Sequence, residues 1–247
     1  MDFKLSVLLF AACITALNGI PNKGEDDESW DDDMILDEWQ LRAPEAPNLR
    51  NGRWGDQYQW PNGVKQYVNQ IKLALTEIEK VTCIRFCPKT KFTKDYVYHD
   101  VKGCKSNVGR KGGKQILSLA KFPLGEKCFK VGVIIHEFIH ALGFYHQQNA
   151  YNRDQYVTII RENIIEDKLN NFERLNTNDY GLPYDYGSIM HYGRKHHSKN
   201  DLDTIVPHDP NAIIGQTEKM SESDIKKINL MYKCDRRKII PKLFKCT

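Results

Sequence analysis

Apolar residues Ile71, Ala74, Leu75 and Ile78 recur at i, i+3, i+4 and i+7, which predicts an amphipathic helix over 69–81. Short runs rich in β-branched and aromatic residues at 83–86, 96–98 and 116–119 read as strands, the last one announced by Gly112-Gly113. From 130 to 142 the chain is apolar nearly all round, so that segment reads as a buried helix ending at Gly143. Beyond it strand signals become rare. Ile165, Leu169 and Phe172 suggest a helix, and 180–192 reads as a loop rich in Gly, Pro and Tyr. Ser221-x-x-Asp224 ahead of Ile225, Ile228 and Met231 has the form of a capping box that opens a last helix. Strands and helices before Gly143, and loops after it, predict an α+β fold of two lobes with a cleft between them.

The buried helix carries the chemistry. It contains His136-Glu137-Phe138-Ile139-His140, followed by Gly143 and His146. Histidines four apart lie on one helix face, about 40° apart and one turn up, so both can reach one metal ion. His146 would point away on a continuous helix. Gly143 can take a positive φ, end the helix and turn His146 back as a third nitrogen donor. Three protein ligands with one position left for water is the pattern of a catalytic zinc. Glu137 stands beside the first ligand, placed to handle protons of an activated water. The plainer alternative is an apolar helix with satisfied histidines.

Composition narrows the setting. A short apolar run from Leu5 to Leu17 after Lys4 has the form of a secretory signal, so 1–19 is expected to be removed and the protein to be secreted. No segment is long enough to span a bilayer, so no membrane association is expected. Six cysteines follow: Cys83, Cys87, Cys104, Cys128, Cys234 and Cys246. An even number in an exported chain favours disulfides over thiolate zinc sites, and the sequence alone leaves about fifteen pairings open. No N-x-S/T sequon is present. Residues 20–50 hold ten acidic side chains against three basic ones, a net −7 in a chain of +4, so the part beyond residue 50 is strongly basic. An acidic leader ahead of a basic domain suggests that one lies on the other. No nucleic-acid-binding motif accompanies the basic balance.

The extended motif H-E-x-x-H-x-x-G-x-x-H, followed by Ser188-Ile189-Met190-His191-Tyr192, resembles the astacin family of the metzincin clan. Trp60-Pro61-Asn62-Gly63-Val64, the stretch Glu79 to Phe86, Gly103 to Arg110, Ile205-Val206-Pro207 and Tyr232-x-Cys234 are also astacin-like. The resemblance implies a zinc endopeptidase acting on extended peptide or protein substrates. His136, His140 and His146 would bind zinc, and Glu137 would act as general base and acid. Tyr192 would be a fifth, swinging ligand that hydrogen-bonds the tetrahedral intermediate, and Met190 would floor the site. It also implies a zymogen with a propeptide at 20–50 and a catalytic domain at 51–247, ending in a short basic tail. Asp33, in Trp30-Asp31-Asp32-Asp33-Met34, would be the zinc switch, with Asp31 and Asp32 as competitors, and an activating protease would cleave between Arg50 and Asn51. Cys83–Cys234 and Cys104–Cys128 are the family's disulfides, which leaves Cys87 and Cys246 to pair with each other. Substrate is expected along an edge strand near 116–119. Arg194 and Lys195 are candidates for preferring an acidic residue after the scissile bond, with solvated surface as the equal alternative.

The chain departs from the family pattern at Gln147, where a glutamate is usual, and at Ala150, where an arginine is usual. The interval from Val64 to Cys83 is also shorter than usual, which implies a cut-back first strand or first helix. These departures motivate a second reading, a zinc-binding protein with weakened catalysis that serves as a binding module.

Overall fold

The computed structural model describes residues 4–8, 65–100 and 102–234. The first helix, α1, runs Lys65–Val81. It starts a turn earlier than the periodicity predicted because Val68 continues the stripe of Ile71, Leu75 and Ile78, and all four are buried. Its C-terminus is closed by side chains. Thr82 Oγ1 donates to the Ile78 carbonyl at 2.7 Å, and Arg85 Nη1 donates to the carbonyls of Glu79, Thr82 and Ile84. A cation on the last carbonyls of a helix is favourable for both hydrogen bonding and the dipole.

A five-stranded sheet packs beside α1. Its members are β1 (Lys4–Leu8), β2 (Arg85–Pro88), β3 (Tyr96–Asp100), β4 (Cys104–Ser106) and β5 (Lys114–Leu119), in the order β2-β1-β3-β5-β4. β1 lies parallel to both neighbours, with Lys4 opposite Arg85 and Ser6 opposite Tyr96. This strand comes from the segment that reads as a secretory signal. α1 begins directly after Val64, so the helix takes up nearly all of the interval from Val64 to Cys83. β2 and β3 each present a ladder edge toward the place where β1 lies, and buried edges need a partner.

The second helix, α2 (Val131–Ala141), is buried over most of its surface, as its all-round apolarity requires, and packs against α1 and the sheet. Gly132 is needed at its start, because a Cβ there would stand 2.0 Å from the Thr217 carbonyl oxygen. Gly143 has φ +109° and ends the helix, as its position in the motif predicted.

Beyond Gly143 two further strands, β6 (Val157–Ile159) and β7 (Ile205–Pro207), form a small antiparallel ribbon that periodicity did not reveal, each strand being only three residues long. The helix suggested at 165–172 is a 3-10 segment, Glu166–Phe172. Of its apolar residues only Phe172 is buried, so no stripe exists to hold a regular helix against the core. The last helix, α3 (Glu222–Met231), opens on the predicted capping box. Ser221 Oγ accepts from Asp224 N–H and the Asp224 carboxylate accepts from Ser221 N–H, both at 2.9 Å. Two disulfides take the expected pairings, Cys83–Cys234 and Cys104–Cys128. Cys87 is disulfide-bonded as well, and its expected partner Cys246 lies outside the described residues.

Candidate metal centre

α2 delivers His136 and His140 on one face, and the turn at Gly143 brings His146 back to them. The ligand nitrogens of the three rings lie within 4.8 Å of one another. His136 Nδ1 is 2.8 Å from the Ile189 carbonyl oxygen and His140 Nδ1 is 2.7 Å from that of Phe144. Those Nδ1–H bonds leave each Nε2 as a lone pair facing the centre. The Nε2 of His146 stands 3.3 Å from that of His136 and 3.1 Å from that of His140. Tetrahedral zinc with Zn–N of 2.0–2.1 Å spaces its nitrogen ligands by about 3.3 Å, so the donor set fits the ion. Burial holds all three imidazoles below the ordinary histidine range, His140 to about 3. They are therefore neutral, the form that binds metal.

Glu137, on the same helix, is buried, and its Oε2 has no hydrogen-bond partner among the described residues. Burial pushes its carboxyl up to about 8. The second wall of the site is the turn through Met190. Ser188 Oγ donates to the Asp224 carboxylate at 2.6 Å, and Ile189 N–H donates to it at 2.9 Å. Gln147 N–H donates to the Met190 carbonyl, tying the segment after His146 to this turn. Met190 itself is buried in the main core. Tyr192 follows, with its ring 4.3 Å from that of His146 and its backbone N–H on Gln148 Oε1. Burial, and then the nearby Glu137 charge, push its phenol to about 12, so it stays a donor.

The comparisons with known proteins agree with this geometry. Residues 53–233 match the family model described as Astacin (Peptidase family M12A). The chain belongs to the astacin family. It is 40% identical over 220 residues to zinc metalloproteinase nas-14 of Caenorhabditis elegans, covering 82% of this chain and 43% of that protein. It is 46% identical over 165 residues to the low choriolytic enzyme of Oryzias latipes, covering 66% of this chain and 59% of that one. Among solved structures it resembles high choriolytic enzyme 1, a hatching enzyme zinc-protease of Oryzias latipes, with a TM-score of 0.66 and 38% identity over 74% of this chain and 98% of that one. The chain thus spans about half the length of these curated relatives.

For an astacin, several expectations change. The strand at 116–119 is not an edge, because β5 pairs with β3 on one side and β4 on the other. The edges are β2 and, next to β5, β4 (Cys104–Ser106). Arg194 and Lys195 form partly exposed ion pairs with Asp203 and Asp201 respectively. Gln147 accepts a hydrogen bond from Lys227 Nζ at 2.7 Å, beside a cavity of about 180 Å³. Asp33, Arg50 and Asn51 lie outside the described residues.

Other residues that support the site carry no motif. Arg153 is buried and donates to the carbonyls of Gln148 and Phe172 and to Asp154. Asp224 was legible only as a helix cap, yet its carboxylate also anchors the turn before Met190. Their sequence neighbours give no sign of these long-range bonds.

Proposed function

We propose that the protein is a zinc-dependent endopeptidase acting on extended peptide or protein substrates. The observation that carries this reading is the convergence of three neutral imidazoles at coordination spacing beside a buried, unpaired carboxylate. Zinc, when bound, supplies Lewis acidity that polarises the scissile carbonyl and lowers the pKa of a water molecule. Glu137 takes a proton from the attacking water and passes it to the leaving amine. Its place on the ligand-bearing helix, with Oε2 left without a hydrogen-bond partner among the described residues, suits it to that role. Tyr192 keeps its phenol proton and donates a hydrogen bond to the developing oxyanion. Main-chain pairing with the β4 edge aligns an extended substrate.

Production as a zymogen is part of the same reading. The leader 20–50 carries Asp33 as the zinc-directed switch, and cleavage between Arg50 and Asn51 by an activating protease releases the domain at 51–247. The signal-like pattern of 1–19 supports secretion, while β1 gives residues 4–8 a place in the sheet. N-terminal sequencing of the exported protein decides between removal and retention. Among the described residues no helix is long and apolar enough to cross a membrane.

The direct test offers casein to the processed protein with and without a zinc chelator. Cleavage abolished by chelation and by Glu137→Ala is expected. Stoichiometric zinc without turnover would instead favour the binding-module reading, for which Gln147, Ala150 and the shortened interval before Cys83 are the motive. Asp33→Ala should release activity from the uncleaved chain, and a silent variant removes the switch.

A further inference from the structure

His196 is not used by the zinc motif, yet its ring lies flat on that of Tyr192, with centroids 3.8 Å apart and planes inclined by 17°. Phe172 and His197 meet the same tyrosine edge-on, at 5.7 and 5.6 Å. The backbone behind His196 is fixed in place. Its carbonyl accepts from Thr204 Oγ1 at 2.8 Å, its N–H donates to the Gly193 carbonyl, and Thr204 is fully buried. His197 next to it is held at φ +55°, a conformation that non-glycine residues rarely adopt, with its carbonyl accepting from Ile165 N–H. His196 is exposed as a residue, while one face of its ring is covered by the contact with Tyr192. A ring stacked flat on a buried one, on a backbone pinned from both sides, limits the directions in which the buried ring can move.

We propose that His196 is a positioning residue for Tyr192, its imidazole face confining the phenol ring to one plane of motion and so aiming the hydroxyl at the reacting centre. This rests on the reading of Tyr192 as an oxyanion donor. The charge state of His196 plays no part in it, since stacking needs only the ring.

His196→Ala and His196→Phe, made in the full chain and activated by limited proteolysis, test it with two readouts. Ring-flip rates of Tyr192 are followed by NMR on ring-labelled tyrosine in metal-free and zinc-loaded protein, the signal being assigned by its loss in Tyr192→Phe. Peptide hydrolysis gives kcat and KM separately. Faster flipping in His196→Ala is expected, with kcat lowered about three- to tenfold at unchanged KM, and both restored by phenylalanine. In the Tyr192→Phe background His196→Ala should cost nothing more. Unchanged flipping, an unchanged kcat in His196→Ala, failure of His196→Phe to restore it, or a loss that persists without the phenol overturns the proposal. Full activity in Tyr192→Phe alone overturns the reading of Tyr192 itself, and the role of His196 with it.

Discussion

Before Gly143, α1 and α2 pack on a five-stranded sheet around one apolar cluster, and the strands satisfy their backbone groups in the ladder. After Gly143 the strands are three residues long, the core is a smaller cluster around Phe172 and Tyr192, and buried polar side chains hold the chain. Arg153 bonds two carbonyls, Asn149 two more, and Asp224 a turn thirty-five residues away. The first half derives its shape from many interchangeable apolar contacts, the second from a few bonds that have no substitute. The proposed active site joins the two, with His136, Glu137 and His140 set by helical periodicity and His146, Met190 and Tyr192 set by that polar scaffold.

This contrast can be tested at the chemistry first. Glu137→Gln, on the helix side, should lower kcat by about 10³-fold or more, and Tyr192→Phe, on the loop side, by about 10²-fold, with zinc content retained in both. Steady-state kinetics alongside elemental analysis checks this, and equal losses would erase the distinction. Asp224→Ala should come next. It leaves the Ser188 hydroxyl hydrogen and the Ile189 N–H without an acceptor in a buried place, which costs about 3 kcal/mol, and it loosens the turn that carries the Ile189 carbonyl bonded to His136. Denaturant melts together with zinc affinity measure both consequences.

Acid should act on the site in a defined sense. Burial lowers His140 to about 3 and His191 to about 4, each from 6.5. Between those values the unfolded chain binds more protons, so this stability is complete above pH 6.5 and is lost as pH falls. The slope is about 1.4 kcal/mol per pH unit for each imidazole. Glu137, raised from 4.5 to about 8, has the opposite sign. The stability of its protonated form is present below pH 4.5 and is lost as pH rises through 8. In metal-free protein Glu137→Gln should remove that alkaline slope and leave the acidic one. Melting temperature against pH reads both.

The smallest expected effect falls on the sheet. A chain lacking residues 1–19 should lose hydrogen-exchange protection in β2 and β3 while the Phe172 region is unchanged. Equal protection in both chains would mean that another segment fills the same position.

Much of the first half was legible because its signal is periodic. Ile71, Leu75 and Ile78 announced α1, and His136, His140 and Gly143 announced both the helix and its end. The second half gave less warning. A 3-10 segment around Phe172 and strands three residues long carry too few repeats for a period to emerge, and the edge was misplaced onto β5 because pairing partners are not written in a strand's own residues.

The sequence alone determined which residues can bind zinc, since a 3.6-residue repeat and one glycine fix three imidazoles relative to one another through local geometry. Only the tertiary structure decided what holds them there. The bonds from Asp224 to Ile189, from Arg153 to Phe172 and from Tyr192 to Gln148, and the strand beside β2 and β3, all join residues far apart in the chain. Their strength comes from burial, which no local pattern records.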